Sequence, residues 1–387
     1  MEDIELLLDR FLEFRNNGQS KYFDADDIVS LIDYFTETDD MENLQIAIDL
    51  GYDLHPDNMD FKLQICKTLV SLGDYETAMK MIEDNDVEGE KEVDWLYIEC
   101  LCELGLKDDV INFITILAEE EIPYLEEAIE HTASVLNDID EYILFAYQFI
   151  TEHLQVYPDN KILKKELCYN LELQGRIREA MTKCKELLQS NLYSIELWFM
   201  KGRLYATCCD YGNAVEALDY ALSCIDIDTD NEDMKDEMKY EILMQKAGCF
   251  QKNENYYSAI SVYEEMMTME DIDIQEVVSH ISECLIKVDD YEKAYQILKD
   301  NLKSEDFEIM ATNIGHFIFC CVMTNRRNEA IDVLCDVIAS LPRDLIIENL
   351  TSIIALQSDI NDIAKDDGNE DRQELVRSFI NSNLHVN

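Results

Sequence analysis

A small residue returns along this chain at a nearly constant interval. Leu44, Ala78, Val110, Ala146, Ala180, Ala214, Ala259, Ala294 and Ala330 are separated by 34, 32, 36, 34, 34, 45, 35 and 36 residues. Several of them close one short motif: a turn residue, an aromatic two places on, then the small residue three later. It runs Gly73-Asp74-Tyr75…Ala78, Cys209-Asp210-Tyr211…Ala214, Glu254-Asn255-Tyr256…Ala259 and Asp289-Asp290-Tyr291…Ala294. Self-similarity at such a period marks stacked repeats, each a single supersecondary unit that cannot bury its apolar face alone. Ala at seven of the nine positions has a packing reason. A small side chain at a helix crossing lets two backbones approach, where a bulky one would hold them apart.

Glycine and proline agree. The 387 residues include 4 Pro and 11 Gly, too few for a strand-and-turn protein and suited to long helices with short links. Pro56, Pro158 and Pro342 each fall twelve residues after a marker and Pro123 falls thirteen after, so every proline sits at a unit boundary. There it can end a helix without breaking one. The one long gap holds an acidic insertion, Asp226 to Glu237, expected to extend a helix or to form an acidic loop.

The unit around Ala214 carries Trp198, Gly202, Tyr205, Ala214 and Ala221 at spacings that resemble the tetratricopeptide repeat (TPR) family, a helix–turn–helix of about 34 residues. Lys201, Leu218 and Asp226 stand where that family has Leu, Phe and Pro. The resemblance implies an all-α fold, a TPR-type α-solenoid in which antiparallel helix pairs wind into a right-handed superhelix, with about nine degenerate repeats over residues 25–344. Residues 1–24 and 345–387 are amphipathic, through Ile4, Leu7, Leu8, Phe11 and Leu12 and through Leu345, Ile346, Leu350, Ile353 and Ile354. They are expected to be helical caps on the ends of the array.

Charge narrows the partners. With 31 Lys+Arg against 84 Asp+Glu the formal charge is −53, a field that repels phosphate backbones and attracts basic proteins, less so as salt rises. Nucleic acid is therefore not an expected partner. The opening MEDIELLLDR lacks the positive charge of a secretory signal, and no apolar run approaches the length of a membrane span. Thirteen Cys without a C-x-x-C spacing point to reduced thiols in a cytoplasmic protein, used as core filler.

No constellation for catalysis or for a cofactor emerges. The six His are scattered, no helical His pair has zinc spacing, and no Gly-rich phosphate loop follows a strand. The chain is thus expected not to be an enzyme. Asp226, Asp228, Asp230 and Glu237 do occupy positions one, three, five and twelve of a calcium-loop pattern, with Asn231 in place of the turn glycine. A solvated acidic loop is nevertheless the expected reading, with no metal site, since Asp233 stands where the pattern has a buried apolar residue.

One stretch departs from the prevailing charge. Between Lys161 and Arg203 nine basic residues face five acids. The TPR resemblance implies a groove lined by positions two, five, nine and twelve of each first helix. These are Ile162, Lys165, Tyr169 and Glu172 in one unit, and Glu196, Phe199, Arg203 and Ala206 in the next. Lys165, Tyr169, Phe199 and Arg203 are expected to share a concave patch fit for a peptide with apolar and acidic groups. Simple compensation of nearby Glu is the alternative. The Lys-and-Asn carboxylate clamp of some family members does not carry over, since Tyr169 replaces its Asn and Leu63 and Met244 replace its Lys in other units. Arg176, Arg178, Lys183 and Lys185 fall away from the groove, as a lateral basic surface for an acidic partner such as a second copy of the chain. The expected function is a scaffold that binds a protein or peptide segment. The alternatives are an acidic chaperone or mimic that shields basic clients, or a structural homo-oligomer.

Overall fold

The computed structural model describes residues 4–17, 22–38, 40–84, 90–228, 232–269, 272–302 and 307–326. These fall into two compact units, one ending at Ala180 and the other starting at Met181. Among the described residues every regular element is helical. The first unit contains α1 (Ile4–Asn17), α2 (Ala25–Glu37), α3 (Met41–Leu54), α4 (Met59–Ser71), α5 (Tyr75–Glu83), α6 (Glu90–Glu103), α7 (Lys107–Glu119), α8 (Leu125–Asp138), α9 (Ile143–Val156) and α10 (Lys161–Leu173). The unit boundary falls within α11 (Ile177–Ser190). The second contains α12 (Ile195–Thr207), α13 (Tyr211–Asp228), α14 (Glu232–Lys252), α15 (Tyr256–Met266), α16 (Ile274–Lys287), α17 (Tyr291–Asp300) and α18 (Phe307–Met323).

The register inferred from the small residues is the register of the fold. Leu44, Ala78, Val110, Ala146, Ala180, Ala214, Ala259 and Ala294 are each the fourth residue of their helix, α3 to α17 in odd numbers. None is more than 2% exposed. Ala330 lies outside the described residues. In each unit a helix packs on its hairpin partner and on the first helix of the next pair, as α4 does on α5 and α6, and α16 on α17 and α18. This is an all-α helical-repeat fold of the solenoid class.

Why the crossing needs a small residue is visible at Gly202. A Cβ there would sit 2.7 Å from Leu218 Cδ2 and 3.5 Å from the Ala214 carbonyl oxygen. Gly202 on α12 and Ala214 on α13 thus form the close approach that the TPR-like spacing implied.

Seven of the hairpin turns share one backbone conformation, while α8 and α9 are joined through a 3-10 turn at Asp140–Tyr142. Five residues before their markers, Gly73, Gly105, Gly175, Cys209, Glu254, Asp289 and Asn325 all have positive φ, between 58° and 82°. This residue ends the first helix with a pair of reversed bonds: Gly73 N–H reaches Val70 O at 3.0 Å and Asp74 N–H reaches Leu69 O at 2.9 Å. In three of these turns the next residue, Asp74, Asp210 or Asp290, caps the second helix, as Asp74 accepts from Thr77 N–H and Asp290 from Lys293 N–H, whereas Leu106 and Asn255 make no side-chain cap. Two adjacent residues thereby close one helix and open the next. Only glycine takes this backbone without steric cost. Glu254→Gly is therefore expected to raise the second unit's stability by about 1 kcal/mol, read as a later midpoint in guanidinium unfolding; an earlier midpoint would contradict this account.

Of the two readings of the acidic insertion, the structure shows the helical one. The acidic insertion lengthens both flanking helices, α13 to 18 residues and α14 to 21. A calcium loop needs twelve coiled residues, but the chain is helical through Asp228 and again from Glu232. Asp226 and Asp228 thus stand in helix, Glu237 lies well inside α14, and Asp230 lies outside the described residues. The cysteines are not all filler either. Ten of the twelve described are buried, but Cys208 and Cys209 are exposed because they form the α12–α13 turn.

At the front, α1 packs on α2 through Leu7 and Phe11, which join a cluster with Ile28, Leu31, Ile32 and Phe35. Residues 345–387 lie outside the described residues. Among those described, no helix is long and apolar enough to cross a membrane.

Candidate functional site

The residue fifteen places before each marker lies on one row of each first helix. In the first unit this row reads Val29, Leu63, Trp95, His131 and Lys165; in the second it reads Phe199, Met244, Ser279 and Gly315. Side chains on that row meet across neighbouring helices. In the first unit Trp95 stacks on His131 with ring centroids 5.0 Å apart, and Lys91 Nζ lies 4.6 Å from the Trp95 ring. In the second, Phe199 and Met244 line an open groove of about 870 Å³.

Three first helices and α15 build this groove. Phe199 and Arg203 come from α12, Tyr240, Glu241, Met244, Gly248 and Gln251 from α14, and His280 and Glu283 from α16. The Arg203 guanidinium lies 5.4 Å from the centre of the Phe199 ring, so the charge rests on an aromatic face. Two polar rungs tie α14 to α16. Tyr240 donates to Glu276 Oε2 at 2.6 Å, and Gln251 Nε2 donates to Glu283 Oε2 at 2.7 Å. They stand eleven residues apart on α14, or about 16 Å along its axis. Between them Gly248 contributes no side chain, and a Cβ there would meet nothing within 4 Å.

Burial acts on two phenols in the groove walls. It pushes the Tyr240 phenol up, helped by its bond to Glu276. It also pushes up Tyr263, whose ring stacks on His280 at 5.3 Å. Neutral phenols therefore face the groove at physiological pH. Arg203, Lys252 and Lys287 line it against Glu241 and Glu283, a cationic excess inside a chain of charge −53.

Behind the groove, His316 on α18 has its pKa lowered by burial first, with His280 adding to the effect and Glu283 opposing it. Its Nδ1 lies 2.8 Å from Ser282 Oγ, within hydrogen-bond distance. A histidine depressed below its ordinary 6.5 adds stability above that value and loses it as pH falls through its folded pKa. Unfolding of the second unit is thus expected at lower denaturant below pH 6.5, with the decline shallower in His316→Gln. Equal pH profiles for the two proteins would refute this.

The residues singled out from sequence divide. Phe199 and Arg203 stand together in the groove. Lys165 and Tyr169 are half-buried on α10 in the first unit, each described within that unit. Of the lateral basic set, Arg176 is held by Glu179 through Nε at 2.8 Å and Nη2 at 2.7 Å, and lies 4.8 Å from the Tyr147 ring. Lys183 pairs with Glu186 at 3.1 Å, while Arg178 and Lys185 are exposed. Local compensation accounts for Arg176 and Lys183, and such surface pairs contribute little to stability.

Sequence reasoning missed the α16 side of the groove. A signal for α14 was present: positions two, five, nine and twelve of its unit are Glu241, Met244, Gly248 and Gln251, and all four line the cavity.

Neither a protein-family model nor a curated protein matches the chain. Solved structures do. A TPR protein from Parabacteroides merdae is similar over 67% of this chain and 99% of its own, at 12% identity and TM-score 0.42. YrrB, described as a TPR protein with an unusual peptide-binding site, is similar over 53% of this chain and 96% of its own, at 14% identity and TM-score 0.37. The pilF protein of Pseudomonas aeruginosa is similar over 54% and 87%, at 12% identity and TM-score 0.41.

Proposed function

We propose that this chain is a protein-interaction scaffold, and that the groove of α12, α14 and α16 holds an extended peptide segment bearing apolar and acidic side chains. The carrying observation is that groove itself: an open 870 Å³ trough with Phe199 and Met244 on its walls and Arg203, Lys252 and Lys287 around it. The apolar walls reward burial of side chains, the fixed Arg203 gives a carboxylate a partner, and the rungs preorganise the walls so that less ordering is needed on binding.

The open floor at Gly248 permits a direct test. Gly248→Phe fills the groove, and the substitution also removes a helix-weakening glycine, so the fold is retained. Peptides selected from a random 12-residue library on the purified protein are expected to be rich in acids and apolar residues. Their affinity should fall at least about tenfold, or 1.4 kcal/mol, in Gly248→Phe and in Arg203→Glu. Peptides that bind both variants as tightly as the wild type would overturn the assignment. Binding that ignores the variants and vanishes at moderate salt would favour a diffuse acidic surface acting on basic clients.

A further inference from the structure

Cys208 and Cys209 are the two exposed cysteines among the twelve described, and they are neighbours in sequence. Packing does not account for thiols here. The same turn position is filled elsewhere by Gly73, Gly105, Gly175, Glu254, Asp289 and Asn325. Cys209 has φ of 59° and its N–H closes α12 on Ala206 O at 2.9 Å.

Adjacent thiols suit one kind of reagent better than another. Neighbouring Cα atoms are about 3.8 Å apart, whereas relaxed disulfides have Cα atoms about 4.4–6.8 Å apart. A direct S–S bond would therefore strain this turn. A soft trivalent centre that takes two sulfurs without joining them makes no such demand, and thiolates are soft ligands. We propose that Cys208 and Cys209 form a vicinal-dithiol site that captures trivalent arsenicals as a two-sulfur chelate. An organoarsenous acid, R–As(OH)2, forms two As–S bonds while its two hydroxyls leave as water with the two thiol protons. Arsenic stays trivalent, so no oxidant or reductant is required.

The molecule contains its own control. Cys320 and Cys321 are equally adjacent but buried. The intact protein would be treated with phenylarsine oxide, which hydrates to the reactive form, in excess glutathione to compete away single-thiol adducts. Intact-mass measurement and peptide mapping should find one adduct in the native protein, on the peptide with Cys208 and Cys209. A second adduct, on Cys320 and Cys321, should require guanidinium. Cys209→Gly keeps the turn, since glycine favours that backbone, and should weaken capture at least about 10²-fold through loss of the second arm. A native protein without an adduct, an adduct mapped elsewhere, or undiminished capture by Cys209→Gly would each overturn the proposal.

Discussion

Phe61→Ala is expected to cost the first unit about 3–5 kcal/mol of unfolding free energy. The ring is 1% exposed and fills the space between α3 and α4, with the edge of Tyr52 against it at 5.9 Å. Its seat exists because Gly51 has no side chain. A Cβ on Gly51 would lie 1.9 Å from Phe61 Cζ and 2.6 Å from both Cε atoms, so Gly51→Ala drives a methyl into a buried ring and should itself cost about 1–3 kcal/mol. The two sites then form a cycle. Gly51→Ala combined with Phe61→Leu should cost less than the sum of the singles, by about 0.5–3 kcal/mol, because a shorter side chain makes room for the methyl. The chain has two tryptophans, Trp95 in the first unit and Trp198 in the second. Urea unfolding followed by fluorescence in a Trp198→Phe background therefore reports the first unit. Strict additivity of the two substitutions would show that the clash is relieved elsewhere.

Gly51 also marks what the sequence makes legible. The hairpin register could be read in advance because it rests on local rules: a small residue at the crossing, a turn residue five places earlier and an Asp cap between them. Six of the described markers, Ala78, Val110, Ala180, Ala214, Ala259 and Ala294, follow a residue of positive φ five places earlier, three of them with an Asp cap between, whereas Ala146 follows a 3-10 turn; Asn325, with φ of 61°, holds the turn position five before Ala330. Gly51 could not be read this way. Its need for a missing side chain comes from a ring ten residues away on another helix, and nothing in the local pattern announces that contact.

The groove divides along the same line. Phe199 and Arg203 were legible because both sit on the repeat's inward row. Glu283 holds the same register position as Arg203, eleven residues before its marker, and only its bond to the Gln251 amide of another helix lies outside the local pattern. Cys208 and Cys209 were misread for a simpler reason: thiols are usually buried, and here the turn that Gly73 or Gly175 makes elsewhere holds two of them at the surface.

A buried polar network in the first unit should prove as costly to break as a core ring. Asn170 on α10 is fully buried and donates to Asn137 Oδ1 on α8 at 2.7 Å and to Ile143 O at the start of α9 at 2.8 Å. Asn137 in turn donates to Glu166 O at 3.1 Å and Glu166 Oε2 at 3.0 Å, and Gln174 Nε2 donates to Asn170 Oδ1 at 2.5 Å. Three helices are thus joined by one amide. Asn170→Leu keeps the branched shape but leaves the Asn137 and Ile143 oxygens without that donor. At about 1–3 kcal/mol for each buried group left unsatisfied, the loss should be on the order of 2–4 kcal/mol. Adding Asn137→Leu removes one of the stranded oxygens but releases Glu166, so the double variant should cost less than the two singles together. The same Trp95 fluorescence measures both, and a cost for Asn170→Leu below about 1 kcal/mol would mean that water replaces the amide. The network has a functional reach as well, since it fixes the helix that carries Lys165 and Tyr169. Were those residues to bind a partner, Asn170→Leu should weaken that binding without touching either side chain.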